Sequence, residues 1–244
     1  MTTGSGPATS GDAYDVPDAF DAGADSYDSL VGANPGYHKH LRLSAERMRL
    51  PDGGRGLRLL DIGCGTGAST AALLHAAPHA EIVAADGSAG MLAQARAKRW
   101  PSSVTFVHSR VETLADAGVT GPFDGILAAY LIRNVDEPDA VLQSLRASLR
   151  PGGVLAAHEY SVRDSRAATA IWKLVSSTVI IPAGRLRTGD AALYRYLQRS
   201  VLEFDGVSGF RNRLRRNGFT DVSSMSMPGW QRNVVHTFTG RAPR

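Results

Sequence analysis

The stretch LLDIGCGTGAS, residues 59–69, constrains the fold of this chain more than any other. The apolar run LRLLDI (57–62) has the pattern of a buried strand. It runs into three glycines at alternate positions, Gly63, Gly65 and Gly67, and then into TAALLHAAP (70–78), which reads as a helix. Glycine lets the chain turn tightly and lets a ligand approach the backbone. The helix behind the turn points its N-terminus at the same spot. The spacing D-x-G-x-G-x-G is not the G-x-G-x-x-G of dinucleotide-binding folds. A lone glycine-rich turn is weak evidence, but the strand–loop–helix context makes it strong.

The rest of the chain repeats the alternation. EIVAAD (81–86), VTFVHS (104–109), FDGILAAYLI (123–132) and VLAAHEYS (154–161) read as strands. SAGMLAQARAKR (88–99), with Ser88 as N-cap, and EPDAVLQSLRASLR (137–150), stopped by PGG, read as helices. Such alternation predicts a parallel, doubly wound α/β sheet. Residues 163–206 are expected to be mainly helical, with Pro182 and Gly184 as a break, forming an insertion over one end of the sheet. A helix ending at Gly218 and two strands, 219–227 and 232–240, close a seven-stranded mixed sheet. Residues 17–52 are read as helices of an N-terminal lid, broken at GANPG. Residues 1–16, rich in Gly, Ser and Thr, are read as a disordered tail ahead of a single domain spanning 17–244.

Composition removes several function classes. At 43% hydrophobic and 20% charged the 244 residues have an ordinary globular balance, and a formal charge of +4 is too mild for a nucleic-acid-binding signature. The single Cys64 allows neither an intrachain disulfide nor a cysteine-based zinc site, and fits a reducing, cytoplasmic setting. His75, His79 and His108 lack paired metal-ligand spacing, so no metal is expected. No G-x-S-x-G is present for Ser–His–Asp hydrolysis. No run of 18 or more apolar residues and no basic-then-apolar leader appears, so neither an integral membrane segment nor a signal peptide is expected.

LLDIGCGTG resembles motif I of the class I S-adenosylmethionine-dependent methyltransferases. That resemblance implies a Rossmann-like fold with S-adenosyl-L-methionine as cofactor and S-adenosyl-L-homocysteine as product. It places Asp61, Gly63, Cys64, Gly65 and Gly67 around the methionine part. Asp86, 25 residues after Asp61, ends the second strand, where a carboxylate can accept hydrogen bonds from vicinal ribose hydroxyls. DGSAGML (86–92) is similar to the family's D-x-S-x-x-M-L, with Gly87 and Met91 lining the adenosine. The resemblance also assigns Val111, Ala128 and Tyr27 to the cofactor site. One position departs from it. Arg110 stands where the family has an acidic residue beside the adenine amino group, and Arg cannot accept a hydrogen bond. The backbone of Val111 or the side chain of Glu112 is left to make that contact.

Within the superfamily, YDSL (27–30), GYHKHLR (36–42), LIRNVDEPDAVLQSLRASLRPGG, YRYLQRSVLEF (194–204) and NGFTDV resemble the menaquinone and ubiquinone C-methyltransferases. The strand exit reads AYLIRN rather than the N/D-P-P-Y/F of enzymes that methylate nucleic-acid bases. The resemblance implies a small aromatic or isoprenoid-linked acceptor and no nucleic acid. Arg133 and Asn134 would bind or activate a ring hydroxyl, and His38 is the first candidate for the base. The bland alternatives are that Arg133 pairs with Asp136 or Glu137, that Asn134 caps a turn, and that His38 is a surface histidine. His158, Glu159 and Tyr160 are expected at the same mouth, and Tyr37 is a candidate to close over cofactor and substrate. O-methylation of a small natural product and a cofactor-binding scaffold or cyclase are the competing functions. A monomer or homodimer is expected.

Overall fold

In the computed structural model the structure describes Asp28, Gly32, Asn34 and residues 36–188 and 191–244. The expected tail and Tyr27 lie outside the described residues, as does most of the lid before α1 (Tyr37–Glu46). One seven-stranded sheet organises the rest, in the order β3-β2-β1-β4-β5-β7-β6. β1 (Arg58–Ile62), β2 (Glu81–Asp86), β3 (Val104–His108), β4 (Phe123–Ala129) and β5 (Leu149–Tyr160) are parallel; β7 (Val235–Arg241) runs antiparallel between β5 and β6 (Thr220–Ser226).

The central strands are apolar on both faces because both are covered. Leu59, Ile82, Leu127, Val154 and Ala156 pack with Leu41, Ala45 and Met48 from α1 and its exit, and with Leu73 of α2 (Ala68–Ala76). Their neighbours Leu60, Val83, Ile126, Leu155 and Ala157 face the other way, onto Leu142 and Leu145 of α4 (Pro138–Ala147) and Phe210 and Leu214 of α8 (Val207–Arg216). Ser88 caps α3 (Ala89–Arg96) as expected, its hydroxyl accepting from the Met91 amide at 3.1 Å.

Two sequence expectations are corrected. β4 ends at Ala129 rather than running on to Ile132; Tyr130 turns out at φ 56° and Ile132–Asn134 form a 3-10 turn. Positive φ is strained for an aromatic residue, and such strain persists only where the surroundings enforce it. Pro182 and Gly184 do not break the second helical region. α5 (Arg166–Val175) widens through a π-turn at Ser176–Ile180 into α6 (Ile181–Thr188), and α7 (Ala192–Glu203) packs back on it. The wider turn leaves room where a proline ring would otherwise meet the carbonyl of Thr178, four residues earlier.

Candidate active site

The glycine loop lies at the carboxyl end of β1, where ligands bind in doubly wound sheets. The amides of Gly63 and Cys64 both donate to the carbonyl of Ala85, at 2.8 and 3.1 Å, tying the loop to β2. Gly67 has φ 91°, and a Cβ there would fall 2.7 Å from the Trp100 ring, so no other residue fits. At Gly65, with φ 54°, a Cβ would meet nothing within 4 Å among the described residues, so the loop's backbone is bare there.

Two carboxylates frame this loop. Asp86 accepts from the Gly65 amide at 2.7 Å through one oxygen and from the Ser88 amide at 2.8 Å through the other. A carboxylate oxygen can accept more than one hydrogen bond, so this group is suited to ligand hydroxyls as well as to backbone amides. Asp61 is fully buried, with Oδ2 accepting from Ser69 (2.8 Å) and Thr70 (2.6 Å), while buried Oδ1 has no partner among the described residues. Burial lifts its pKa to about 7, against the pull of the two hydroxyls. An orphaned buried carboxylate oxygen is costly unless a donor arrives. A cationic group, such as the ammonium of an amino-acid moiety, fits it. Cys64 lines the same loop as an inert thiol, its pKa raised by burial and then by the neighbouring carboxylates.

The positions expected to border adenosine are mixed in exposure. Met91 is buried on α3, and the carbonyl of Gly87 lies 3.0 Å from His108 Nε2. Val111 is buried at the start of a 3-10 turn. Arg110 and Glu112 are about half exposed, with Nε and carboxylate 3.9 Å apart. Ala128 is a core residue, paired between Ile62 and Ala157 inside the sheet.

Two residues that sequence reasoning passed over close the near side. Asp28 accepts from the Thr66 hydroxyl and pairs with Lys98, while Lys98 also donates to the Thr66 carbonyl at 2.7 Å. The N-terminal segment is thereby tied to the glycine loop. The only sequence signal was the YD pair within YDSL.

The strand-four exit adjoins the loop directly, since a Cβ on Gly63 would meet Leu131 at 3.2 Å. Behind Leu131, Arg133 donates to Glu159 at 2.8 Å, with side chains 4% and 0% exposed. Glu159, rather than Asp136 or Glu137, is its partner. Burial pulls the guanidinium toward neutrality, but the charge of Glu159 outweighs it and holds the pKa above its ordinary value. Arg133 therefore stays cationic, with Nε unpartnered among the described residues and its guanidinium carbon 5.5 Å from the rings of both Tyr130 and Tyr160. Asn134 donates to the Tyr130 carbonyl at 2.9 Å and accepts from the Tyr196 hydroxyl at 3.3 Å, so it does close the turn. A cavity of about 250 Å³ opens beside it, bounded by Arg133, Tyr196, Arg199, Glu203 and Arg213.

Tyr130 also ends a buried relay. Arg47 donates to Thr237 Oγ1 (2.8 Å), which lies 2.7 Å from Ser44 Oγ; Ser44 reaches His158 Nδ1 (2.7 Å), and His158 Nε2 reaches the Tyr130 hydroxyl (2.9 Å). Arginine only donates, so one polarity open to this chain runs from Arg47 through Thr237, Ser44 and His158 to the Tyr130 oxygen. Burial pushes the His158 pKa down to about 3, which keeps the imidazole neutral and makes it too weak a base for neutral pH. Tyr37 stacks on Tyr130 at 6.0 Å, and Tyr160 and Trp172 extend the aromatic wall. His38 is exposed on α1, edge-on to Tyr37, and takes no part in the relay.

Comparisons with known proteins agree with this architecture. The profile of the ubiE/COQ5 methyltransferase family matches residues 8–237. The ubiquinone/menaquinone biosynthesis C-methyltransferase UbiE of Bradyrhizobium diazoefficiens is 33% identical over 221 residues, 88% of this chain and 87% of that protein. The enzyme of the same name from Syntrophotalea carbinolica is 33% identical over 229 residues, 93% of each chain. Among solved structures, the [4+2]-cyclase SpnF superposes with a TM-score of 0.68 at 18% identity, covering 95% of this chain and 96% of that one, a likeness of fold alone. With the glycine loop, the two carboxylates and a family match over nearly its whole length, the chain belongs to the ubiE/COQ5 methyltransferase family and is an S-adenosylmethionine-dependent methyltransferase.

Proposed function

We propose that the enzyme methylates a ring carbon of a quinol- or phenol-type acceptor in quinone or natural-product biosynthesis, in the cytoplasm. The observation that carries this reading is the cationic turn: Leu131 against Gly63 holds Arg133 and Asn134 beside the cofactor loop. The names of the 33%-identical relatives support it.

S-adenosylmethionine, when bound, supplies a methyl group on an electrophilic sulfonium. Asp61 Oδ1 would take its ammonium, and Asp86 its ribose hydroxyls. Gly63, Cys64, Gly65 and Gly67 would cradle the methionine part through their backbone. Gly87, Met91 and the Val111 backbone would border the adenosine, with Ala128 behind them and Tyr27 closing from the N-terminal side.

The protein's remaining work is to align the acceptor and enrich the attacking carbon in electrons. Weakening the proton on an ortho hydroxyl does this. Arg133 would stabilise the developing phenolate and Asn134 orient it, in a site where a fixed cation acts more strongly than in water. His158 is too weakly basic to take the proton and instead positions Tyr130. That leaves His38, acting through water, as the proposed base.

One observation favours a second reading. Arg133 is buried and ion-paired to Glu159, so it can serve structure alone, in which case the site performs O-methylation with a base beside the hydroxyl, or acts as a scaffold or cyclase without methyl transfer. The test is turnover with S-adenosylmethionine and a panel of quinols and phenols. Mass spectrometry and carbon NMR of the product are expected to find a new C–CH3. An O–CH3 product would replace the proposal with the second reading, and cofactor binding without turnover would leave the scaffold or cyclase.

The state of Asp61 makes a further expectation about binding. In the ligand-free protein its carboxyl is half protonated near pH 7, whereas an ammonium at Oδ1 needs the carboxylate. Binding must therefore expel a proton, and cofactor affinity is expected to fall as pH drops below 7, by up to about tenfold per unit. Calorimetric titration with S-adenosylhomocysteine from pH 5.5 to 8 checks this, and Asp61→Asn should bind weakly with no such step. A flat wild-type profile would remove Asp61 from the ammonium site.

A further inference from the structure

The helix running from Arg166 to Leu186 is long and apolar enough, by length and composition, to cross a membrane, yet only 22% of its most apolar 18 residues are buried in the protein. Its two sides differ sharply. Ala168, Trp172, Ser176 and Gly184 are buried against the domain. Trp172 Nε1 donates to the Gln198 carbonyl at 3.3 Å, and Gln198 returns a bond to Ser176 at 2.7 Å, so α7 holds this side along its length. The opposite side carries Ile171, Leu174, Val179 and Leu186, exposed by 42, 63, 57 and 88%. Single exposed apolar residues are ordinary; a continuous stripe is not.

The π-turn is what keeps the stripe continuous. On an ideal α-helix, residues four apart drift by roughly 40° at each step. The wider turn at Ser176–Ile180 takes back that drift. Gly184 thereby stays under Tyr194, where a Cβ would fall 2.2 Å from its ring, and Leu186 stays in line with Leu174.

Charge identifies the occupant. From Arg166 to Leu186 the chain has three cations, Arg166, Lys173 and Arg185, and no acidic residue. At that spacing and phase the three cations lie along one edge of the apolar stripe. A second copy laid antiparallel on this face would bring cations against cations. An apolar stripe with a cationic edge matches an anionic lipid surface. We propose that this face of the helix docks the enzyme on an anionic bilayer, lying in the interfacial plane. It cannot span, because Trp172 and Ser176 anchor its other side to the protein.

The inference does not depend on the acceptor, and its readout does not need turnover. The wild-type protein is to be sedimented with phosphatidylcholine vesicles, with and without about 30% phosphatidylglycerol, at low salt and at about 1 M salt. It is expected to bind the anionic vesicles and to be released by salt. Leu174→Asp with Leu186→Asp should lower the bound fraction at least about tenfold by removing apolar insertion. The same double variant should titrate S-adenosylhomocysteine like the wild type, which establishes that it is folded. Undiminished binding by the double variant would overturn the proposal, and so would a wild type that ignores anionic vesicles. If that wild type were instead a dimer dissociated by the double substitution, the face would be an interface between copies.

Discussion

Asp86→Ala is expected to bind S-adenosylmethionine at least about 100-fold more weakly than the wild type, since hydrogen bonds to a charged group contribute about 1.5–3 kcal/mol each. The size of the effect comes from two roles in one carboxylate. Asp86 holds the Gly65 and Ser88 amides, so its loss frees the loop on the ligand's side, and it is proposed to accept from the ribose hydroxyls. Asp86→Asn separates the two. The amide preserves shape and can keep one of the two backbone bonds, so Asp86→Asn should lose less thermal stability than Asp86→Ala while affinity still falls. Calorimetric titration with S-adenosylhomocysteine measures this without an acceptor. Wild-type affinity in Asp86→Ala would mean that the cofactor lies elsewhere.

The second large effect concerns the buried pair at the strand-four exit. Removing Glu159 alone leaves the Arg133 guanidinium uncompensated in the core, and Glu159→Ala is expected to cost about 3–5 kcal/mol in denaturant unfolding. Arg133→Ala strands the carboxylate at similar cost. Loss of activity in either single variant is therefore ambiguous between structure and chemistry. The double variant Arg133→Met with Glu159→Leu is not. Replacing a buried ion pair by apolar residues of similar volume is often neutral or stabilising, so stability should return. If Arg133 stabilises the developing phenolate, turnover in the double variant stays down by about 10²–10³-fold, the usual loss on deleting one such group. Recovery of both stability and turnover would make the pair purely structural and favour O-methylation or a scaffold.

Much of the proposed cofactor half of the site was legible in the chain because its signals are local. Gly65 and Gly67 need backbone conformations that glycine alone adopts freely, and Asp61 and Asp86 are named by their places at strand ends. The acceptor half was not legible to the same degree. Arg133 and Asn134 were visible as polar residues at the end of an apolar run, but the partner of Arg133 is 26 residues away on β5, past two nearer carboxylates. A short sequence distance to Asp136 and Glu137 says nothing about which side of the turn the guanidinium faces. His38 was singled out by its place in the GYHKHLR block, whereas His158 in the relay depends on Ser44 and Arg47 from α1 and its exit and on Thr237 from β7.

The helical insertion follows the same division. Its apolar composition and lack of acid are read directly from residues 166–186, but Pro182 and Gly184 suggested a break there. The break did not occur because packing of Trp172, Ser176 and Gly184 against α7 favours one continuous helix, and a π-turn absorbs the proline at small cost.

The sequence by itself determined the sheet, its glycine loop and its two carboxylates, because apolar periodicity and glycine's conformational freedom are properties of neighbouring residues. Only the tertiary structure decided that Arg133 pairs with Glu159, that Tyr130 takes a strained turn over a neutral His158, and that an apolar stripe faces outward. The first two depend on which distant groups are brought into a water-poor interior, where an unpaired charge or hydroxyl is costly, and the third on α7 covering only one side of the helix.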